Sequence, residues 1–253
     1  MVSTEYLAKE INFEDSNKKL LEDIINFGLN LGADFVEIFL ENTDNISVLV
    51  EEDFITSVSP SFGKGAGIRI FKDKRDGFVS TNDLSKDGLI KSISQAVQML
   101  DITETSSHNK FQGLEDLRNY SDRKNDWLKK VPLVDEIGEK LLLSTASLKK
   151  DPKVNIRKSS YARNWQQVLI ASSDGTFAKD IRLHQTVGLN LIATDRQYRS
   201  SGSRRFGSSD NPNDLRNWDY ENASNEVLES SMNMLYADYV EACQKPVVLA
   251  NKF

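Results

Sequence analysis

The chain is poor in the residues that redox and metal chemistry depend on, with one cysteine and two histidines among 253 residues. Cys243 alone cannot close an internal disulfide, so a reducing compartment, the cytoplasm, is the expected location. With one cysteine no C-x-x-C pair exists. His108, in a polar stretch, and His184, in a strand-like stretch, lie far apart and belong to no H-E-x-x-H ligand motif, so no metal site is expected within the chain. There is no G-x-S-x-G elbow and no G-x-x-x-x-G-K-[ST] loop. The run Gly63-Lys64-Gly65-Ala66-Gly67 misses the dinucleotide fingerprint because Ile70 stands where the third glycine belongs. No stretch approaches the roughly 18–20 uncharged apolar residues of a membrane helix. The opening Met1-Val2-Ser3-Thr4-Glu5 lacks the basic-then-apolar layout of a secretion signal. A net charge of -6 argues against a nucleic-acid partner, which needs a basic face.

What is present reads as a globular α+β chain of two subdomains, each of antiparallel strands packed with one or two helices. Residues 1–17 form a polar arm. The first subdomain covers 18–104. Leu20, Leu21, Ile24, Ile25, Phe27 and Leu31 mark one face of a helix, and Gly32 is its stop signal. Strands are expected at 35–40, 46–50 (where Ile46, Val48 and Val50 alternate), 54–58, 68–71 and 78–80, with Asp76-Gly77 as a hairpin turn. Leu89, Ile93, Ala96, Val97 and Leu100 then recur at helical spacing, with Ser85 or Asp83 able to cap.

Residues 105–131 are polar and aperiodic and read as a linker. The second subdomain, 132–253, opens with Pro132 in the first turn of a helix striped by Leu133, Ile137, Leu141 and Leu148. Strand signals follow at 154–161, 168–170 and 187–191, with Ser173-Asp174-Gly175-Thr176 as a second hairpin. Residues 199–216 are polar, a last helix runs from about 222 to 242, and Pro246-Val247-Val248-Leu249 begins a strand. A strand of that kind normally leads into further structure, so the chain is expected to be truncated there.

The order of motifs resembles the TldD/PmbA family of zinc metallopeptidases, in particular its TldD-like branch. The stretches that carry the resemblance are Gly65-Ala66-Gly67-Ile68-Arg69, Asp76-Gly77-Phe78-Val79-Ser80, Val168 through Thr176, Asp180-Ile181-Arg182, Ser201-Gly202-Ser203-Arg204-Arg205-Phe206-Gly207 and Pro246-Val247-Val248-Leu249. The resemblance implies hydrolysis of unfolded peptides by a zinc-bound water, within a cavity closed by a homodimer or by a heterodimer with a paralogous subunit. It also implies an H-E-x-x-x-H helix after the last of these stretches and a cysteine ligand further downstream. Neither is present, and Cys243 precedes where the helix would stand. The chain by itself is therefore expected to hold no catalytic residue and no zinc, and to be inactive alone. The other reading is a non-catalytic peptide- or partner-binding subunit of a peptidase-type complex.

Within the chain, Arg204, Arg205, Phe206 and Gly207 are the candidate substrate-binding residues. Arginine pairs with carboxylates and carbonyls of a peptide, and the flanking glycines let backbones approach. A solvated basic turn is the competing reading of the same residues. His184 is expected to be structural, and Trp165 and Trp218 to be core or interface anchors.

Overall fold

The computed structural model describes residues 18–102, 111–119 (backbone only for 116–119), 131–209 and 211–248. Among the described residues four α-helices and seven strands follow in order: α1 (Lys18–Asn30), β1 (Phe35–Glu51), β2 (Phe54–Lys72), β3 (Arg75–Thr81), α2 (Lys86–Met99), β4 (Glu115–Asn119), α3 (Val134–Ser147), β5 (Val154–Ser172), β6 (Thr176–Asp195), β7 (Tyr198–Ser209) and α4 (Tyr220–Leu235). The class is α+β. All strands join one sheet in the order β3-β2-β1-β5-β6-β4, with β7 also on β6. Among the described strands only the β4–β6 pair is parallel.

Four strands are far longer than their sequence signals. β1, β2, β5 and β6 run for 17–20 residues, about 55–65 Å at the usual rise. The polar stretch Asn42-Thr43-Asp44-Asn45 reads as a break between two strands but continues β1, because β2 and β5 pair with it on both sides. β2 likewise runs straight through Pro60 and the Gly63–Gly67 stretch. Asp76 and Gly77 are not the turn after β2. They sit inside β3, and the two-residue loop is Asp73-Lys74, with Asp73 in the left-handed region at φ 54°. The second hairpin is as expected, with Gly175 at φ 99°.

Along β1 side chains alternate between faces. Val36, Ile38 and Leu40 enter one core with α1 and α2, through Leu21, Ile24, Ile25, Leu89, Ile93 and Ala96. Val48 and Val50 point the same way into a second core with α3 and α4, through Ile137, Leu141, Val187, Leu189, Tyr220 and Val227. Two helical layers therefore lie side by side on one face of a continuous sheet. Each fully buried Leu or Ile contributes about 1.5–3 kcal/mol relative to exposure. The opposite face carries no helix among the described residues.

Local chemistry sets the helix ends. Gly32, at φ 96°, stops α1, and the Ser85 hydroxyl accepts the Gly88 N–H at 3.1 Å to cap α2. α3 begins two residues after Pro132, so Leu133 is its N-cap and lies 73% exposed rather than in the apolar stripe. α4 ends at Leu235, short of the expected 242. Tyr236 is held there by the Asp195 carboxylate, to which its hydroxyl donates at 2.7 Å. Residues 246–248 form no strand, and Leu249 lies outside the described residues. The stretch 199–216, largely polar, holds most of β7 and a short 3-10 turn at Asp214–Arg216, and its Phe206 and Leu215 are buried. Of the expected linker, 111–119 is described and includes β4. His108 and the 1–17 arm lie outside the described residues. No helix described is long and apolar enough to cross a membrane.

Candidate functional site

The Arg204–Gly207 quartet is strand, not loop, and alternation splits it. Residues directly opposite on paired strands share a face. Arg204 faces Leu189 and Phe206 faces Val187, so both point to the helical side. There Arg204 pairs with Glu226 of α4 at 2.7 Å, and Phe206 is buried against Trp218 and Tyr220. The Phe206 ring is core and offers nothing to a ligand. Arg205 lies opposite Gly188 and Gly207 opposite Thr186, which places both on the open face. Gly207 has a steric reason to be glycine, since a Cβ would stand 2.6 Å from the Gln185 carbonyl oxygen.

That open face is a lattice of small polar side chains. One row crosses five strands: Ser61 on β2, Asn45 on β1, Asn164 on β5, His184 on β6 and Ser209 on β7. The Asn164 side-chain amide donates to Asn45 Oδ1 at 2.6 Å, and His184 Nδ1 shares a hydrogen bond with the Ser209 hydroxyl at 2.9 Å. The next row holds Ser59, Ser47, Ala162, Thr186 and Gly207, and the one beyond it ends on Arg205. A shallow groove of about 490 Å³ lies over the first two rows.

This arrangement presents hydroxyls and amides, each able to donate and accept, without a strong acid or base. Charge sits at its ends. Toward the α1–α2 end, Arg182 Nε donates to Asp180 at 2.7 Å and the Gln166 amide donates to Glu41. Toward the α3–α4 end, Lys158 pairs with Glu51 at 2.5 Å, with Arg205 one row inward. Among the described residues no carboxylate bonds to His184, so the His184–Ser209 pair is not a nucleophile with an oriented base. Such a face suits an extended chain rich in backbone amides rather than bond-breaking chemistry. Sequence reading missed it, although Ser57, Ser59 and Ser61 are a period-two polar signal, the last two facing Ser47 and Asn45.

Among the described residues no three His, Cys, Asp or Glu side chains converge to hold a metal ion. The donor set of the described residues therefore does not fit a zinc centre. Cys243 is exposed and isolated.

The described residues form a seven-stranded sheet with long central strands and helices on one face. Two successive sequence domains identify the family: residues 36–100 match domain 1 of the PmbA/TldA metallopeptidases, and residues 128–235 match the central domain of the same proteins. Together they take in more than half of the sequence, and the chain belongs to the PmbA/TldD metallopeptidase family. Three crystal structures share the fold. A Bacteroides thetaiotaomicron protein described as a candidate DNA gyrase modulator is 19% identical with a TM-score of 0.69, over 90% of this chain and 52% of that one. A Thermotoga maritima protein of the same description is 14% identical with a TM-score of 0.66, over 91% and 50%. TldE from Thermococcus kodakarensis is 20% identical with a TM-score of 0.64, over 84% and 47%. The chain spans about half the length of each. No curated protein sequence is similar enough to count as a match.

Proposed function

We propose that this chain is the substrate-side scaffold of a TldD-like zinc metallopeptidase that hydrolyses unfolded peptides in the cytoplasm. The zinc-holding residues would come from outside the described residues, in further sequence or in a paralogous partner subunit of a dimer. The observation that carries the reading is the match of both family domains in order, 36–100 then 128–235. The open polar face adds to it. Ser, Asn and Thr side chains can bond the amides of an extended peptide without regard to its side chains, and Arg205 can take a carboxylate. Binding of this kind selects for unfolded substrate, because a folded chain has already paired its backbone groups.

The absence of a metal-holding group among the described residues favours a second reading, a non-catalytic peptide-binding subunit. One experiment separates the two. A fluorescein-labelled unstructured acidic peptide is titrated into the chain and binding followed by anisotropy. The natural full-length reading frame, purified with zinc, is then assayed for cleavage of the same peptide. The peptidase reading expects binding by the chain, weakened several-fold by Arg205→Ala, and cleavage by the full-length protein. Binding without cleavage assigns the binding-subunit role. No binding at all removes both.

A further inference from the structure

Two of the stretches that carry the family resemblance, 65–69 and 76–80, take no part in the polar rows of the open face. They pair with each other along β2 and β3. Gly67 lies opposite Phe39 on β1 and Ser80 on β3. Because Gly67 has no side chain, the Phe78 ring can lie down over the sheet, and a Cβ there would stand 3.0 Å from the tip of the ring. Phe39 in turn lies opposite Ile170 of β5, and Ile170 opposite Ala178 of β6. Phe78, Phe39, Ile170 and Ala178 therefore form an apolar strip across the open face, and none of them belongs to a helical core. Phe39, Ile170 and Ala178 are half-buried, whereas Phe78 is 59% exposed. Beside the strip, Arg69 lies opposite Phe78 and donates to Asp76 through Nε at 3.2 Å and Nη2 at 3.0 Å. The same guanidinium lies 4.8 Å from the centre of the Phe71 ring.

We infer, on the peptide-binding reading of the open face, that this strip takes an aromatic side chain of the bound peptide, with Phe78 as its platform. The bare apolar area is that of one side chain. At 59% exposure Phe78 leaves on the order of 120 Å² uncovered. That is far below the roughly 800 Å² each partner buries in a stable protein interface. Arg69 and Asp76 already neutralise each other, so this rim asks no charge of the ligand. The strip is also continuous with the polar rows. Phe39 and Asn45 share one strand and one face, about 20 Å apart, a distance that about six residues of extended chain cover. An unfolded peptide can meet both at once, its amides on the hydroxyls and its ring on Phe78. A folded protein keeps most of its aromatic side chains inside, so the strip adds to the selection for unfolded substrate.

Calorimetric titration tests this with two unstructured acidic peptides of about twelve residues, identical except for Phe or Ala at one central position. The wild-type chain should bind the Phe peptide about fivefold more tightly. Phe78→Ser should bring the two affinities together and leave the melting temperature nearly unchanged, since the ring lies outside the cores. Arg205→Ala should weaken both peptides alike. Phe62→Ser removes another bare ring, 74% exposed and on the helical side, and should leave the preference as it is. As a check that keeps an aromatic group in place, Phe78→benzoylphenylalanine should form an adduct with the Phe peptide on irradiation. Equal wild-type affinities, a preference that survives Phe78→Ser or is lost in Phe62→Ser, or an adduct joining two copies in place of the peptide would each overturn the assignment while leaving peptide binding intact. Failure of both peptides to bind would remove the peptide-binding reading itself, and the assignment with it.

Discussion

The Phe206 and Trp218 rings lie stacked, with centroids 3.8 Å apart and planes 21° apart. The contact ties edge strand β7 to the segment entering α4, and Tyr220 closes it edge-on. Phe206→Ala should therefore destabilise the fold by about 3–5 kcal/mol, since it opens a cavity beneath the strand. Arg205→Ala, one residue away on the open face, should leave the melting temperature nearly unchanged while weakening peptide binding. Thermal melts and anisotropy on both variants check this. Equal melting losses would mean that the two residues do not face opposite sides.

Gly202 should tolerate no side chain. A Cβ there would lie 2.4 Å from the Val227 carbonyl oxygen and 3.0 Å from Ser231, because α4 rests directly on β7. Gly202→Ala should cost about 1–3 kcal/mol, read as a lower denaturation midpoint at constant slope. An unchanged midpoint would show that α4 can lift off without loss.

The Arg157 guanidinium is buried and clamps the turn after β1. It donates to Glu52 at 2.9 Å, to Asp53 at 3.2 Å and to the Thr145 carbonyl oxygen at 3.1 Å. Both carboxylates keep water on one side, so Arg157→Met should cost about 1–3 kcal/mol, less than breaking a fully buried pair. The hydrogen bond from Arg157 holds the Asp53 carboxyl below its ordinary value. Its contribution is present above pH of about 4 and is lost as pH falls through the lower folded value. Acid denaturation followed by tryptophan fluorescence should show this loss in the wild type and less of it in Arg157→Met.

Tyr161 should make the fold sensitive to alkali. Its hydroxyl donates to Gln185 Oε1 at 3.0 Å in the second core, and burial pushes its ionisation up to about 12. The folded chain keeps this proton where the unfolded chain gives it up near pH of about 10. Its contribution is therefore complete below pH of about 10 and lost as pH rises toward 12. Tyr161→Phe should shrink that alkaline loss without removing it, because burial also pushes the Tyr220 hydroxyl up. Phenolate absorbance against pH, compared with unfolding, measures it.

The helices were written locally. Ile24 and Ile25, Ile93 and Ala96, and Ile137 and Leu141 fall at helical spacing and are buried in the structure, with Gly32 and Ser85 at the ends where their chemistry is useful. Alternation likewise marks Val187, Leu189 and Leu191 as a half-buried strand. The family resemblance was also legible, through motifs at Gly65–Arg69 and Ser201–Gly207. Only the tertiary structure decided the rest. Asn42–Asn45 and Tyr198–Ser209 have little strand pattern of their own, and they become strands because neighbours already in the sheet offer unsatisfied backbone groups to pair with. Pairing likewise gathered Asn45, Asn164, His184 and Ser209, up to 164 positions apart in sequence, into one row. It also sent Arg204 and Arg205 to opposite faces. Local propensity acts over a few residues, whereas register between distant strands is set by which faces bury together, and no single stretch of sequence carries that information.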